Sequence, residues 1–101
     1  MLFRSIGMAK ALAMEVGEYN ICVNCVCPGV IKTPMNSNLS SQDMLDLADQ
    51  TPLGRIGTPE EVGELVYFLS SDKADFITGQ IISCDGGFAL YERLCKDALE
   101  F

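Results

Sequence analysis

Six consecutive residues, Pro28, Gly29, Val30, Ile31, Lys32 and Thr33, form the stretch of this sequence best suited to hold a small molecule. They follow an apolar run, and in an open α/β sheet ligands bind just beyond the carboxyl ends of the strands. Gly29 lets a ligand approach the backbone closely, and the turn after it can leave the amides of Val30, Ile31 and Lys32 to donate hydrogen bonds. Thr33 adds a hydroxyl nearby. Such a row of donors suits a carboxamide or a phosphate, although a proline-glycine pair is far more often a plain turn.

Other chemistry is scarce. The chain has no histidine, which removes the commonest general base and metal ligand. Cys22 and Cys25 are spaced as a C-x-x-C pair, but on a strand their Cα atoms would lie roughly 10 Å apart on opposite faces. Neither a disulfide nor a chelate fits that geometry, so Cys22, Cys25, Cys27 and Cys84 are expected to be buried, reduced, small hydrophobes, with no metal site. Glu60 and Glu61 read as helix-start carboxylates rather than an acid/base pair. No catalytic residue is expected.

The elements that must position the loop follow from pattern. Ile6 to Val16 is rich in helix formers, with an Ala-rich face and Gly17 placed for a left-handed C-cap. Ile21 to Cys27 is apolar on both faces apart from Asn24, as a strand covered on both sides should be, and Asn24 is expected to be satisfied by neighbouring backbone. Ser40 can cap a short helix through Leu47 that presents Met44, Leu45 and Leu47. Thr58, Pro59 and Glu61 supply an N-cap, an N1 proline and a capping-box partner for a helix with Val62, Leu65, Val66 and Leu69 on one face, ending near Ser71. Gln80 to Cys84 reads as a strand, and Asp85, Gly86 and Gly87 as a turn. Tyr91, Leu94, Cys95, Ala98 and Leu99 share one face of a further helix.

This order predicts an α/β fold with a parallel sheet, about two strands and three to four helices in a single partial domain over 1–101, with 88–101 as a helical tail. Two strands are too few for a sheet buried on both faces, so part of the sheet is expected to be absent and the chain to be poorly soluble. At 101 residues the core is modest. A composition 49% hydrophobic and 21% charged is that of a globular chain. The net charge of −7 lacks the footprint of a nucleic-acid binder and would be repelled by anionic membranes. No stretch approaches a membrane span, and Arg4, Lys10 and Glu15 interrupt the apolar start, so neither an anchor nor a secretory signal is expected and a cytoplasmic location is.

The segments NICVNCVCPGVIKTPM, PLGRIGTPEEVGELVYFLSSDKADFITGQ and IISCDGG resemble the second half of short-chain dehydrogenases/reductases, with 3-oxoacyl-acyl-carrier-protein reductases among the closest. The resemblance covers roughly Ile6 to Gly87 and implies the carboxyl-terminal part of a Rossmann-type doubly wound sheet. It also implies that Pro28, Gly29, Ile31 and Thr33 hold the nicotinamide carboxamide of NAD or NADP, Ile31 by its backbone amide and Thr33 by its hydroxyl. By the same resemblance, Met35 to Gln50 is a substrate-binding loop in which Met35, Met44 and Leu45 bury an acyl chain or ring, the alternative being a helix packed for stability alone. Asp85 to Gly87 ends the last strand, which in that family helps build dimers and tetramers.

The family's glycine-rich phosphate loop, catalytic serine and Y-x-x-x-K motif have no counterpart, and Lys10 matches a second lysine rather than the catalytic one. The resemblance therefore implies an NAD(P)-dependent oxidoreductase acting on a small-molecule or acyl-carrier carbonyl substrate, present here as a fragment inactive alone, and homo-oligomeric in the full-length parent. The alternative is a non-catalytic binding or oligomer-assembly module derived from that family.

Overall fold

The computed structural model describes residues 2–34 and 38–88. Among these residues there are three α-helices, α1 (Leu2–Val16), α2 (Ser41–Asp49) and α3 (Pro59–Leu69), and two strands, β1 (Cys25–Pro28) and β2 (Ile81–Cys84), in the order α1, β1, α2, α3, β2. The strands form one two-stranded sheet. Cys25 N–H donates to Gln80 C=O and Gly29 N–H to Cys84 C=O, so a step of four along one strand meets a step of four along the other. That register is parallel, as the sequence predicted. The described residues fall into two compact units, 2–27 with 63–82 and 28–62 with 83–88.

In the first unit, α1 begins at Leu2, earlier than the helix-former run suggested. It is not stopped by Gly17, which enters a short 3₁₀ turn over Gly17–Tyr19. The left-handed residue is Asn20, at φ 59°, with its N–H bonded to Gly17 C=O. Asparagine tolerates this conformation because its short polar side chain offsets part of the Cβ strain. The apolar run before Pro28 yields a strand of four residues rather than seven. Upstream of it, one backbone bond, Gly79 N–H to Val23 C=O, is joined by side chains: Val23 N–H donates to Thr78 Oγ1, and Asn24 Nδ2 donates to Ile77 C=O while its Oδ1 accepts from Gln80 N–H. Asn24 is thus satisfied by backbone, as expected, but it substitutes for the ladder instead of extending it.

The same unit shows where glycine is needed. Gly79 sits at φ +72° with its N–H on Val23 C=O, and a Cβ there would come within 3.6 Å of Ala13. Ala13 and Ala74 are the buried apolar residues among those described. The cysteines differ from expectation: Cys22 is exposed, with its thiol directed at Asp75 C=O, while Cys25, Cys27 and Cys84 are only half-buried. None of the four is in a disulfide. With so little polypeptide over the strand faces, apolar character alone does not produce burial.

The second unit carries two well-capped helix starts. Ser40 accepts from Asp43 N–H, and the Asp43 carboxylate accepts from Ser40 N–H, completing a capping box for α2. Met44 and Leu47 are half-buried, whereas Leu45 is 60% exposed. On α3, Val62, Leu65 and Leu69 are half-buried and Val66 is exposed. Met35 and the expected helix beyond Phe88 lie outside the described residues.

Candidate functional site

The second unit positions the loop singled out in the sequence. Beyond β1 the chain runs alongside the segment before α3, pairing Ile31 with Gly57 in an isolated parallel bridge. Gly57 N–H donates to Val30 C=O at 2.9 Å, and Lys32 N–H donates to Gly57 C=O at 2.9 Å. The Lys32 amide is therefore committed within the protein and does not join the row of ligand donors expected of it. In extended chain, peptide groups alternate in direction, so pinning Val30 and Lys32 to Gly57 turns the N–H and C=O of Ile31 toward the opposite edge. Thr33 follows, half-buried.

Gly29 is required for a reason that the sequence did not reveal. A Cβ at Gly29 would stand 2.6 Å from Asp85 Cβ and 2.8 Å from Asp85 Cα. The space beside this glycine is thus filled by the end of β2, and close approach of two backbones is enough to require its missing side chain. Gly57 is covered more softly, since its Cβ would meet the tip of Ile31, Cδ1, at 2.8 Å.

The turn after β2 closes the other side. Asp85 Oδ1 accepts from Gly87 N–H, and Gly86 and Gly87 take φ +62° and +93°. A Cβ on Gly86 would lie 2.8 Å from Thr51 Cγ2, and one on Gly87 2.8 Å from Pro52 Cγ. Leu53 N–H donates to Gly86 C=O, and buried Thr51 returns its hydroxyl to Leu47 C=O. Together these segments enclose a cavity of about 520 Å³ between Val30, Ile31, Leu53, Arg55 and Asp85.

Electrostatics concentrate at one rim. Glu61 Oε1 accepts from Arg55 Nη1 (2.8 Å), Thr58 N–H (3.0 Å) and Thr58 Oγ1 (3.2 Å), while Oε2 accepts from Arg55 Nη2 (2.7 Å). The Arg55 bonds, reinforced by the Thr58 backbone, hold the Glu61 carboxyl down at about 2, and Glu61 in turn raises Arg55. The capping box was legible in the Thr58 to Glu61 spacing. The bidentate partner was not, because Arg55 precedes the helix and obeys no helical period.

A family model described as enoyl-(acyl carrier protein) reductase matches residues 5–89. The 3-oxoacyl-[acyl-carrier-protein] reductase of Chlamydia muridarum is 49% identical over 84 residues, covering 83% of this chain and 34% of that protein. Among solved structures, a 3-oxoacyl-[acyl-carrier protein] reductase from Brucella melitensis superposes with a TM-score of 0.80 at 38% identity, over 83% of this chain and 31% of that one. A short chain dehydrogenase family protein from Francisella tularensis gives 0.78 at 37% identity, over 86% and 40%.

The chain belongs to the short-chain dehydrogenase/reductase family. Its α/β class, parallel pairing and three helices are those of a Rossmann-type sheet, as predicted. This short-chain dehydrogenase/reductase chain spans about a third of the length of the curated relatives it matches. Among the described residues no helix is long and apolar enough to cross a membrane, and no group of three His, Cys, Asp or Glu side chains is placed to hold a metal ion.

Proposed function

We propose that this chain is the nicotinamide-side and substrate-side portion of a cytoplasmic, homo-oligomeric NAD(P)-dependent oxidoreductase acting on an acyl-carrier or related carbonyl substrate. The observation that carries the reading is the pinned loop after β1. Val30 and Lys32 are tied to Gly57, so the loop leaves the strand end along a fixed path toward Thr33, in the region where an α/β sheet receives its ligand. A carboxamide needs a donor and an acceptor at such an edge, and the Thr33 hydroxyl can serve as either. Pro28 and Gly29 fix the departure of that loop from the sheet, Gly29 by allowing Asp85 against it. The names of the relatives support the substrate class.

The nicotinamide, when bound, supplies the hydride acceptor or donor for an alcohol or carbonyl carbon. This chain's own part is to orient the ring by Thr33 and to cover the substrate from the α2 side. Proton transfer falls to polypeptide outside these residues, since no Y-x-x-x-K motif occurs in the sequence.

Two preparations test the reading: the 101-residue chain, and the complete polypeptide that carries this segment. The complete protein is expected to oxidise NADPH or NADH with a 3-oxoacyl thioester, and Thr33→Val to raise the dinucleotide Kd roughly three- to tenfold, the worth of one hydrogen bond. Carbonyl reduction by the purified chain alone, or an unchanged Kd in Thr33→Val, would refute it. If cells hold a stable species near 11.0 kDa, the assembly-module reading takes its place.

A further inference from the structure

We propose that the cavity beside Ile31 is a subsite for the neutral alkyl portion of an acyl substrate, so that longer 3-oxoacyl groups are favoured over short ones; this rests on the function proposed above. The cavity measures about 520 Å³, a size typical of small-molecule sites, and Val30, Ile31, Pro52 and Leu53 form its apolar walls. Every residue lining it lies in the unit made of 28–62 and 83–88, so one compact body builds it. Those walls have apolar surface to offer and little hydrogen bonding left. Val30 C=O accepts from Gly57 N–H, Gly57 C=O from Lys32 N–H, Cys84 C=O from Gly29 N–H and Gly86 C=O from Leu53 N–H. Gly87 N–H is taken by Asp85 Oδ1, and the Arg55 guanidinium is held by both oxygens of Glu61.

This chemistry selects the occupant. A phosphate, a carboxylate or a peptide strand entering here would give up its hydration for few partners, which is costly, whereas an alkyl chain gives up only an unfavourable contact with water. The cavity also adjoins the edge assigned to the nicotinamide. The chain is extended at Ile31, where it pairs with Gly57, and side chains two apart along extended chain share a face. The Ile31 side chain on the cavity wall therefore leads toward the Thr33 hydroxyl. A substrate whose carbonyl carbon meets the ring beside Thr33 lays its chain along Ile31 toward Leu53.

The test compares a long chain with a short one. In the complete polypeptide, kcat/KM is measured with NADH and with NADPH for the 3-oxooctanoyl and 3-oxobutanoyl thioesters of N-acetylcysteamine. The quantity read is the ratio of the two, because a ratio within one preparation does not depend on how much of it is folded. Wild type is expected to favour the longer chain at least about tenfold, a factor that burial of the added methylenes can supply. Val30→Phe fills the cavity, and Leu53→Asp places a charge at an exposed wall position while leaving the backbone bond to Gly86 intact. Each is expected to lower the ratio at least about fivefold. A wild-type ratio near one, or a ratio that Leu53→Asp leaves unchanged, overturns the proposal. So does a ratio that falls in Leu45→Asp and holds in Leu53→Asp, which lays the chain on α2 instead. Should wild type turn over neither thioester with either dinucleotide, the function itself falls and the proposal with it.

Discussion

Replacing Gly29 by alanine adds one methyl group where the structure has no room for it. The new Cβ would lie 2.6 Å from Asp85 Cβ, 2.8 Å from Asp85 Cα and 3.3 Å from Asp85 O. Two of these three atoms are backbone, so no rotamer change relieves the overlap. Relief requires the ends of β1 and β2 to separate by about 1 Å, given that carbon atoms pack at about 3.5–4.0 Å. The Gly29 N–H···O=C Cys84 bond, 3.1 Å long, would then exceed hydrogen-bonding distance. Overpacking costs about 1–3 kcal/mol and the lost hydrogen bond about 0.5–1.5 kcal/mol, together about 1.5–4.5 kcal/mol. For a domain of this size each kcal/mol moves Tm by about 4–8 °C, so a fall of at least about 6 °C is expected. Gly63→Ala is the control, since the helical Gly63 has nothing within 4 Å of a built Cβ. That change should stabilise by about 0.5–1 kcal/mol through helix propensity. Both melts are recorded without any dinucleotide. A Gly29→Ala protein that melts within about 2 °C of the parent would refute the backbone contact and return Gly29 to the role of a ligand-facing gap.

Gly86→Ala combines a left-handed residue at φ +62° with a Cβ 2.8 Å from Thr51 Cγ2, whereas Gly54→Ala has a left-handed φ of +77° and open space. The conformational part costs about 1–2 kcal/mol in each, and only Gly86→Ala should add an overpacking cost of about 1–3 kcal/mol, read as a larger drop in urea midpoint. Asn24→Ala strands Ile77 C=O and Gln80 N–H, and should cost about 1–3 kcal/mol by denaturant titration, while a neutral result would deny that Asn24 bridges the upstream strand. Glu61 has its carboxyl lowered from 4.5 to about 2 by Arg55 first and the Thr58 backbone second. The pair's contribution is therefore complete above about pH 4.5 and is lost as pH falls through about 2; a side-chain NMR titration of Glu61 midpoint near 4.5 would contradict the geometry.

How far the sequence foretold this arrangement depended on whether the signal was local. Helix starts were legible because a cap and its partner lie three residues apart, as at Ser40 with Asp43 and Thr58 with Glu61. Asp85, Gly86 and Gly87 were legible as a turn because glycine and aspartate report their own backbone preferences. The strand before Pro28 was placed correctly but drawn too long, since Val23 and Asn24 are bonded through Thr78 and Asn24 side chains, an alternative to a ladder that no apolar pattern encodes. Lys32 was misread because its partner, Gly57, lies 25 residues away and leaves no trace in spacing. The contact of Gly29 with Asp85 was invisible for the same reason, its partner lying 56 residues away. Cysteine burial failed differently: hydrophobicity predicts preference for cover, and cover must be supplied by other polypeptide.

That last point bears on what this segment does within its family. The buried residues among those described are Ala13, Ala74 and Thr51, two of them too small to contribute much apolar area. Meanwhile Met14, Tyr67 and Phe76 are exposed, Phe76 completely. A structure so poor in burial draws little stability from a core, yet its loops are closely specified, by the Gly57 bridge, the Asn24 amide, the Asp85 turn and the Glu61 carboxylate. Each such bond nets only about 0.5–1.5 kcal/mol, but each also excludes other geometries, because leaving its partner unpaired costs more than making it gains. Shape here is fixed by hydrogen bonds, and cohesion is left to surfaces that these residues do not themselves cover. A loop held this way keeps its local geometry only while the few glycine and hydrogen-bonding positions that specify it remain intact.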